Sequence, residues 1–354
     1  MARSQRSVSA ALVAVVALAG LLAAGRWLQP RLDGRTKAAA TTRPPPTSPA
    51  ATSTSPTLAT NRPAGPSPVT RVVATSSQVD AIAVTRRAVW LAVGGLVLRV
   101  DPATGRALVV PGVEAAAPVV DLAAGAGAVW AVTSGAGLLR IDPRSARLTA
   151  SLPGPVSAVA AGAGGVWAVC CQGRIRPGRV TRLDPASGRV IAAVGLPGRP
   201  LAVGAGPGGV WVRGAEGWLW RVDPAGDRQA GAIRLPTVPG AAELGGEVVV
   251  AGGVVWVSDP GAGVVRRVDL RRGSEDRSEA DGRDLAGTPG GTVWATSDTQ
   301  LLGLGGPQLR GPRRNLHELE THRITAVAAA DEGGLWLGTA QGLFHVDQRV
   351  LGQG

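Results

Sequence analysis

The sequence predicts an all-β fold, a seven-bladed β-propeller built from four-stranded antiparallel blades. Two observations predict it. A Trp recurs about every 41 residues in the same apolar context, and each interval holds four short β-rich runs separated by turn residues. Propeller blades have this period, and no stretch after residue 30 shows the sustained periodicity of a helix.

Seven tryptophans define the repeat, with successive separations of 40, 37, 44, 45, 38 and 42 residues. Six follow Val and the last follows Leu: Trp90, Trp130, Trp167, Trp211, Trp256, Trp294 and Trp336. We expect these rings to fill the space between adjacent blades, in place of Tyr, which is absent from the sequence, and Phe, which occurs once.

Asp-Pro turns mark the end of the third run in the first four units. They read RVDPATG (99–105), RIDPRSA (140–146), RLDPASG (182–188) and RVDPAGD (221–227). Pro fixes φ, Asp makes local hydrogen bonds and Gly accepts positive φ, so each motif predicts a tight turn between the third and fourth strands. In the fifth unit the motif decays, and the charged segment 271–284 predicts a solvated loop.

The N-terminal region, residues 1–30, contains an uncharged apolar run of 18 residues at 8–25. At ~1.5 Å per residue such a helix reaches most of the way across a bilayer. We expect a signal anchor, because Trp27 suits the membrane interface, which predicts a single-pass cell-membrane protein with its propeller outside the cytoplasm. A signal peptide cleaved near Ala23-Ala24-Gly25 is the alternative, and would give a secreted protein.

Residues 31–70 are rich in Pro, Thr, Ser and Ala and offer almost nothing apolar to bury, which predicts a disordered linker. The propeller then occupies residues 71–354. A strand-like run, RVVAT at 71–75, precedes the first unit, whereas little sequence follows the last unit. We therefore expect residues 71–75 to join the last blade as its outer strand and close the ring.

The net charge of +12 does not indicate nucleic-acid binding. Eight of the basic residues and a single acidic one, Asp33, lie within residues 1–70, which leaves +5 for the propeller. The remaining arginines are scattered through the repeats, whereas a nucleic-acid module concentrates basic and aromatic residues on one face.

The repeat resembles bacterial propellers of the YVTN and virginiamycin B lyase-like type, whose units carry a Trp followed by an Asp-Pro-x-x-Gly turn. The last unit, DEGGLWLGTAQGLFHVD at 331–347, also resembles the propeller repeats of two-component regulators. The lyase resemblance implies a divalent metal held by His and acidic residues, but the three His of this chain do not match that site. Quinoprotein propellers place their Trp after the turn, so a quinone cofactor is not expected.

One enlarged connection in the third unit, residues 170–179, is a candidate binding loop. Arg174, Arg176 and Arg179 lie close together there, and guanidinium groups bind carboxylates and phosphates. Drift in loop length is the alternative. The adjacent Cys170 and Cys171 are the only cysteines; they could form a vicinal disulfide or serve as two small apolar residues.

A second candidate lies in the segment 309–323, which carries His317, Glu318, Glu320 and His322. These side chains could bind a metal or could form surface ion pairs with the neighbouring arginines.

Taken together, these features favour a membrane-tethered extracytoplasmic scaffold or sensor. It would bind a protein or an anionic ligand of the cell envelope through one loop face, with no cofactor and no catalytic residues. A metal-dependent lyase or hydrolase resembling virginiamycin B lyase remains the alternative, so enzymatic activity stays open.

Overall fold

Short apolar runs punctuated by turns produce seven four-stranded antiparallel sheets in the computed structural model, which confirms the seven-bladed propeller. The structure describes residues 69–113, 117–170, 178–236, 246–269, 274–278, 282–288, 291–297, 300–304, 313–315, 323–330, 334–347 and 351. The predicted membrane segment and residues 31–68 of the predicted linker lie outside these residues, whereas Val69 and Thr70, predicted as the end of the linker, begin a strand. Within the described residues, no helix is both long enough and apolar enough to span a membrane.

The strands follow the chain in blade order, from the innermost strand of each blade outward. Blade 1 comprises β2 (Val79–Thr85), β3 (Ala88–Val93), β4 (Leu96–Val100) and β5 (Ala107–Val109). Blade 2 comprises β6 (Val119–Gly125), β7 (Ala128–Thr133), β8 (Gly137–Asp142) and β9 (Arg147–Pro153). Blade 3 comprises β10 (Val156–Gly162), β11 (Gly165–Cys170), β12 (Gly178–Leu183) and β13 (Val190–Leu196). Blades 4 and 5 comprise β14 (Pro200–Gly206), β15 (Gly209–Gly214), β16 (Trp218–Asp223) and β17 (Arg228–Arg234); β18 (Val248–Ala251), β19 (Val254–Asp259), β20 (Val264–Asp269) and β21 (Ser274–Ser278). Blades 6 and 7 comprise β22 (Leu285–Gly287), β23 (Val293–Thr296), β24 (Gln300–Leu304) and β25 (Arg313–Asn315); β26 (Ile324–Ala329), β27 (Leu335–Thr339) and β28 (Gly342–Val346). A single 3-10 turn, Ala215–Gly217, separates β15 from β16.

The seventh blade takes its outer strand from the beginning of the ring. β1 (Val69–Ala74) pairs antiparallel with β28, from Val69 opposite Val346 to Ala74 opposite Gly342. Val69 and Leu351 are buried in the core of the same blade. Residues 62–354 form one compact unit, and the described residues from 69 onward close the ring and supply its cores. A unit with its own cores can fold alone, so we expect residues 62–354 to fold without the preceding segment.

Two faces of the ring follow from this strand order. One face carries the connections from strand one to two and from strand three to four of each blade, and we call it the turn face. The loop face carries the connections from strand two to three and from strand four to the next blade. The Asp-Pro turns lie on the turn face, and the innermost strands start at the loop face.

The recurring tryptophans are buried, each in a hydrophobic cluster with residues of the following blade. Trp167 of blade 3, for example, is 0% exposed and packs with Val203, Val210 and Val212 of blade 4. In the same way Trp336 of blade 7 packs with residues of blade 1, which completes the circle. Each Trp side chain thus covers an apolar sheet face that a single blade would leave exposed to water.

An Arg lies directly opposite the Trp, on the third strand, in each of the first five blades. The pairs are Trp90–Arg99, Trp130–Arg140, Trp167–Arg182, Trp211–Arg221 and Trp256–Arg267. Arg140 Nε donates a hydrogen bond of 2.8 Å to the Pro185 carbonyl, and Arg182 Nη1 one of 2.9 Å to the Pro224 carbonyl. The Asp-Pro turn of one blade is therefore tied to the Arg of the blade before it.

Trp167→Ala should lower the free energy of unfolding by ~3–5 kcal/mol, because it removes a fully buried ring and leaves a cavity between blades 3 and 4. Val190→Ala, at a position 47% exposed, should change it by no more than ~0.5 kcal/mol. Denaturant unfolding of residues 62–354 measures both. Similar losses in the two variants would contradict the inter-blade role of the Trp.

Candidate functional site

The candidate site begins with an irregularity at the start of the innermost strands. In five blades the pairing of strands one and two shifts by one residue there, as between Val119 and Asp121, which face Thr133 and Val132. The residue between them is bulged out of the ladder. Bulges of this kind re-aim neighbouring side chains, here at the loop-face end of the central channel.

Three blades place a carboxyl group at one equivalent position beside this irregularity. Asp121 pairs with Val132, which lies two residues after Trp130. The carbonyl groups of Glu247 and Asp284 accept hydrogen bonds from Ser258 and Thr296, each two residues after the Trp of its blade. Ala81, Ala158, Ala202 and Ala326 occupy the position in the other four blades.

Two of these carboxylates link adjacent innermost strands. Asp121 Oδ2 accepts a hydrogen bond of 2.8 Å from the Val159 backbone N–H of the next blade. Asp284 Oδ2 accepts one of 2.6 Å from the Val327 N–H of the next blade, and its Oδ1 accepts one of 2.9 Å from Leu285 N–H. These Asp side chains therefore hold blade 2 to blade 3, and blade 6 to blade 7, around the channel.

The surroundings of the three acids favour their neutral forms. Burial raises the pKa of Asp121 to about 6, against the lowering effect of the amide hydrogen bonds from Val159 and Leu122. Burial, together with the charge of Asp121, raises the pKa of Asp284 to about 7. Burial and the charges of Asp284 and Asp121 raise the pKa of Glu247 well above its ordinary value. The channel wall thus holds carboxyl groups that change charge near neutral pH.

A cavity of about 450 Å³ opens beside these acids. Its apolar wall comes from the innermost strands of blades 2 to 5 and includes Val120, Leu201 and Val249. Asp121, Glu247 and Arg283 supply its charged groups. An apolar concave surface with a few charged groups is the usual form of a small-ligand site, and this one lies on the propeller axis.

A buried ion network lies between blades 4 and 5, beside the same wall. Arg213 Nη2 lies 3.3 Å from Asp259 Oδ1, and Arg266 Nη2 lies 3.7 Å from Asp259 Oδ2. Arg266 also donates a hydrogen bond of 2.7 Å to the Pro236 carbonyl. A side chain at Gly246 would collide with the Arg213 guanidinium and the Ser258 carbonyl, so only Gly fits where the chain enters the wall of the cavity.

The structure describes only part of the predicted site. Arg179 is exposed at the loop-face end of β12, directly opposite Cys170, the last and half-buried residue of β11. The other predicted residues, namely Arg174, Arg176, Cys171, His317, Glu318, Glu320 and His322, lie outside the described residues. Within the described ranges, no group of three or more His, Cys, Asp or Glu side chains is placed to hold a metal ion.

The sequence prediction missed the three channel acids, although a signal for them exists. Asp121 and Glu247 lie nine residues before the Trp of their units, and Asp284 lies ten residues before its Trp. Aligning the repeats on Trp therefore brings the three acids to nearly the same column.

Known structures share this fold. The chain is similar to virginiamycin B lyase from Staphylococcus aureus (TM-score 0.61, 14% identity, covering 77% of this chain and 94% of that one). It is also similar to a streptogramin B lyase (TM-score 0.62, 15% identity, covering 78% and 96%). A third similar structure is the extracellular domain of a hybrid two-component system of B. thetaiotaomicron (TM-score 0.61, 16% identity), where the match covers 78% of this chain and 39% of that one.

These similarities confirm the propeller type that the repeat predicted, and at these identities they establish the fold alone. No family model matches the sequence, and comparison with curated proteins finds no match.

The free energy of unfolding should fall as the pH rises from about 5 to 8, by on the order of 4 kcal/mol, because each group loses about 1.4 kcal/mol for every pH unit below its raised pKa. The pKa values of Asp121 and Asp284, about 6 and about 7, exceed the ordinary 3.8, so folding favours their protonated forms. That stabilisation is complete below the ordinary pKa and is lost as the pH passes through the raised values. Denaturant unfolding of residues 62–354 over this pH range measures it.

Asp121→Asn and Asp284→Asn should each flatten this profile, because Asn keeps a hydrogen-bond acceptor for the next blade but does not titrate. The matched control is Asp101→Asn. The carboxylate of Asp101 accepts hydrogen bonds from the N–H groups of Ala103 and Thr104, which lower its pKa. Because Asp101 therefore does not change its charge between pH 5 and 8, this control should leave the profile in that range unchanged. An unaltered slope in both channel variants would show that these groups do not titrate as described.

Proposed function

We propose that this protein is a membrane-tethered extracytoplasmic binding module that takes a ligand or a protein partner at the loop face of its propeller. The observation that carries the proposal is the cavity on the ring axis. It combines an apolar wall with Asp121, Glu247 and Arg283, and these charged groups lie where the innermost strands start, on the face where the blade connections differ from one another.

The cellular setting rests on the N-terminal sequence. The apolar run 8–25 suits a membrane anchor, and the Pro- and Thr-rich residues 31–70 suit a spacer that holds a domain away from the membrane. A propeller in the extracellular domain of a hybrid two-component system offers a precedent for this fold in a sensor outside the cell. We infer the same broad role for this chain, with Arg174, Arg176 and Arg179 contributing contacts to anionic groups.

A metal-dependent lyase or hydrolase is the second candidate. The similarity to two lyase structures, which the chain covers over 94% and 96% of their length, favours it. In that case His317, Glu318, Glu320 and His322 would provide the metal ligands, and the metal would supply a Lewis acid.

Capture from detergent-solubilised cell envelopes tests the binding role, with residues 62–354 as bait. A partner held by the parent should be reduced at least tenfold by Arg174→Ala/Arg176→Ala/Arg179→Ala, or by Val120→Trp, which narrows the cavity. The matched control is Arg106→Ala/Arg147→Ala/Arg189→Ala, which removes the same charge from the turn face and should capture as well as the parent. Equal capture by all four proteins, or loss in the control alone, would contradict binding at the loop face.

Thermal unfolding with and without divalent cations tests the second candidate. Mn²⁺, Mg²⁺, Ca²⁺ or Zn²⁺ at a hundred times its dissociation constant should stabilise a metal-binding propeller by ~2.7 kcal/mol. His322→Ala should abolish that stabilisation, whereas His345→Ala, on β28 beside Trp336, should not. If no cation changes the unfolding temperature of the parent, the metal-dependent candidate is wrong.

A further inference from the structure

The turn face of blades 1 to 3 carries a row of exposed arginines. One follows each Asp-Pro turn at the start of the outer strand, namely Arg106, Arg147 and Arg189. Arg86 and Arg87, between β2 and β3, and Arg144, within the second Asp-Pro turn, are also exposed on this face. Six guanidinium groups therefore face solvent on three adjacent blades.

The acidic residues of the same three turns are held by their own backbone. Asp101 Oδ1 accepts a hydrogen bond of 2.9 Å from Ala103 N–H, and Asp142 Oδ1 accepts one of 3.0 Å from Arg144 N–H. Asp184 accepts hydrogen bonds from the hydroxyl and the N–H of Ser187. These carboxylates offset part of the positive charge but not all of it, because six arginines stand against three aspartates.

Large apolar side chains are exposed next to two of these arginines. Leu108 and Val109 on β5 are 44% and 47% exposed, and Val190 and Ile191 on β13 are 47% and 55% exposed. Among the described residues, the only other large hydrophobic side chain this exposed is Val120, which lines the cavity. We call the arginines Arg106, Arg147 and Arg189, together with these four apolar residues, the basic rim.

Blade 4 ends the basic rim. The outer strand β17 begins Arg-Gln-Ala-Gly and presents no large apolar side chain to solvent. Its Arg228 lies 3.6 Å from the carboxylate of Asp223, which neutralises it. Among the described residues of blades 1 to 4, the exposed guanidinium groups and exposed apolar residues therefore occur together on blades 1 and 3 and stop at blade 4.

The chain itself enters the ring on this face. β1 occupies the outer position of blade 7, and its first residue, Val69, lies opposite Val346 at the turn-face end of β28. Blade 1 is the next blade of the ring, so the basic rim starts beside the point where residues 31–68 join the propeller.

We propose that the basic rim binds the surface of a bilayer rich in anionic phospholipid. Arginines that pair with lipid phosphates, next to apolar side chains that enter the interface, are the two contributions by which peripheral proteins bind such surfaces. The position of the chain entry and the exposed apolar side chains both favour a lipid surface over an acidic protein or a nucleic acid, because positive charge alone would attract all three. This orientation leaves the loop face on the side away from the membrane.

The inference rests on the membrane tether of the proposed function, but its test does not need the tether. Residues 62–354 lack the apolar run, so any binding of this unit to vesicles must come from the propeller or its immediate flank. Co-sedimentation with phosphatidylcholine vesicles, with and without about 30% phosphatidylglycerol, measures the partition coefficient. Binding should appear with phosphatidylglycerol only and should weaken as salt is raised.

Three variants locate the contact. Arg106→Glu/Arg189→Glu should lower the partition coefficient at least tenfold, and Leu108→Ser/Ile191→Ser should lower it several-fold without changing its salt dependence. The matched control is Arg234→Glu/Arg323→Glu, which makes the same change of charge on the loop face and should bind as the parent does. Circular dichroism of each variant before and after the assay checks that the fold is intact.

The outcomes separate the two proposals. Failure of the parent to bind, or equal losses in the rim variant and the loop-face control, would overturn the lipid contact and leave the capture experiment unaffected. Rim-dependent binding to an acidic polymer such as heparin, without binding to phosphatidylglycerol vesicles, would also overturn it and would indicate a soluble polyanion. Loss of binding in the rim variants alone would establish the lipid contact even if no partner is captured at the loop face.

Discussion

The rest of the structure depends on the burial of one Trp between each blade and the next. A four-stranded sheet of this composition has apolar side chains on both faces, and a neighbouring blade covers each face. Because every blade needs two neighbours, the chain must return to its start, and Trp336 of blade 7 packs against blade 1. β1 then completes blade 7 with residues from the beginning of the ring, which links the two ends of the domain through backbone hydrogen bonds.

Ring closure brings the innermost strands together around a channel. Burial of carboxyl groups in this channel costs the fold free energy. Asp121 and Asp284 use their carboxylates to bind amides of the next blade, which strengthens the inner ring. The same burial raises their pKa values and disfavours their charged forms. An alanine, as at Ala158, would avoid that cost but could neither accept the amide nor present charge to the cavity. The carboxyl groups of the channel therefore link neighbouring blades and also have strongly raised pKa values.

The blades could be predicted because Trp and Asp-Pro turns recur at a nearly constant interval. The interval is nearly constant because each blade must bury one Trp against the next blade. The outer strands β21 and β25 could not be predicted, and the sequence prediction of a solvated loop at 271–284 was wrong for Ser274–Ser278. An outermost strand bonds to one neighbour only, so SEDRS can form one without apolar alternation. The channel acids were readable from the Trp alignment, whereas the network of Arg213, Asp259 and Arg266 depends on how blades 4 and 5 pack, which no local pattern encodes.

The two faces of the ring follow different physical rules. On the turn face, each Asp-Pro turn must bond its own backbone and, where an Arg stacks on Trp, accept a guanidinium from the preceding blade, as at Pro185 and Pro224. These requirements keep the turns short and alike, so variation is confined to the exposed arginines and outer-strand residues beside them. On the loop face, connections start from bulged strand ends and face fewer such requirements, so they can differ from blade to blade. A surface that repeats over blades 1 to 3 suits contact with an extended, uniform partner such as a membrane. A surface that differs in every blade, around a cavity lined by Asp121, Glu247 and Arg283, suits recognition of a single molecule.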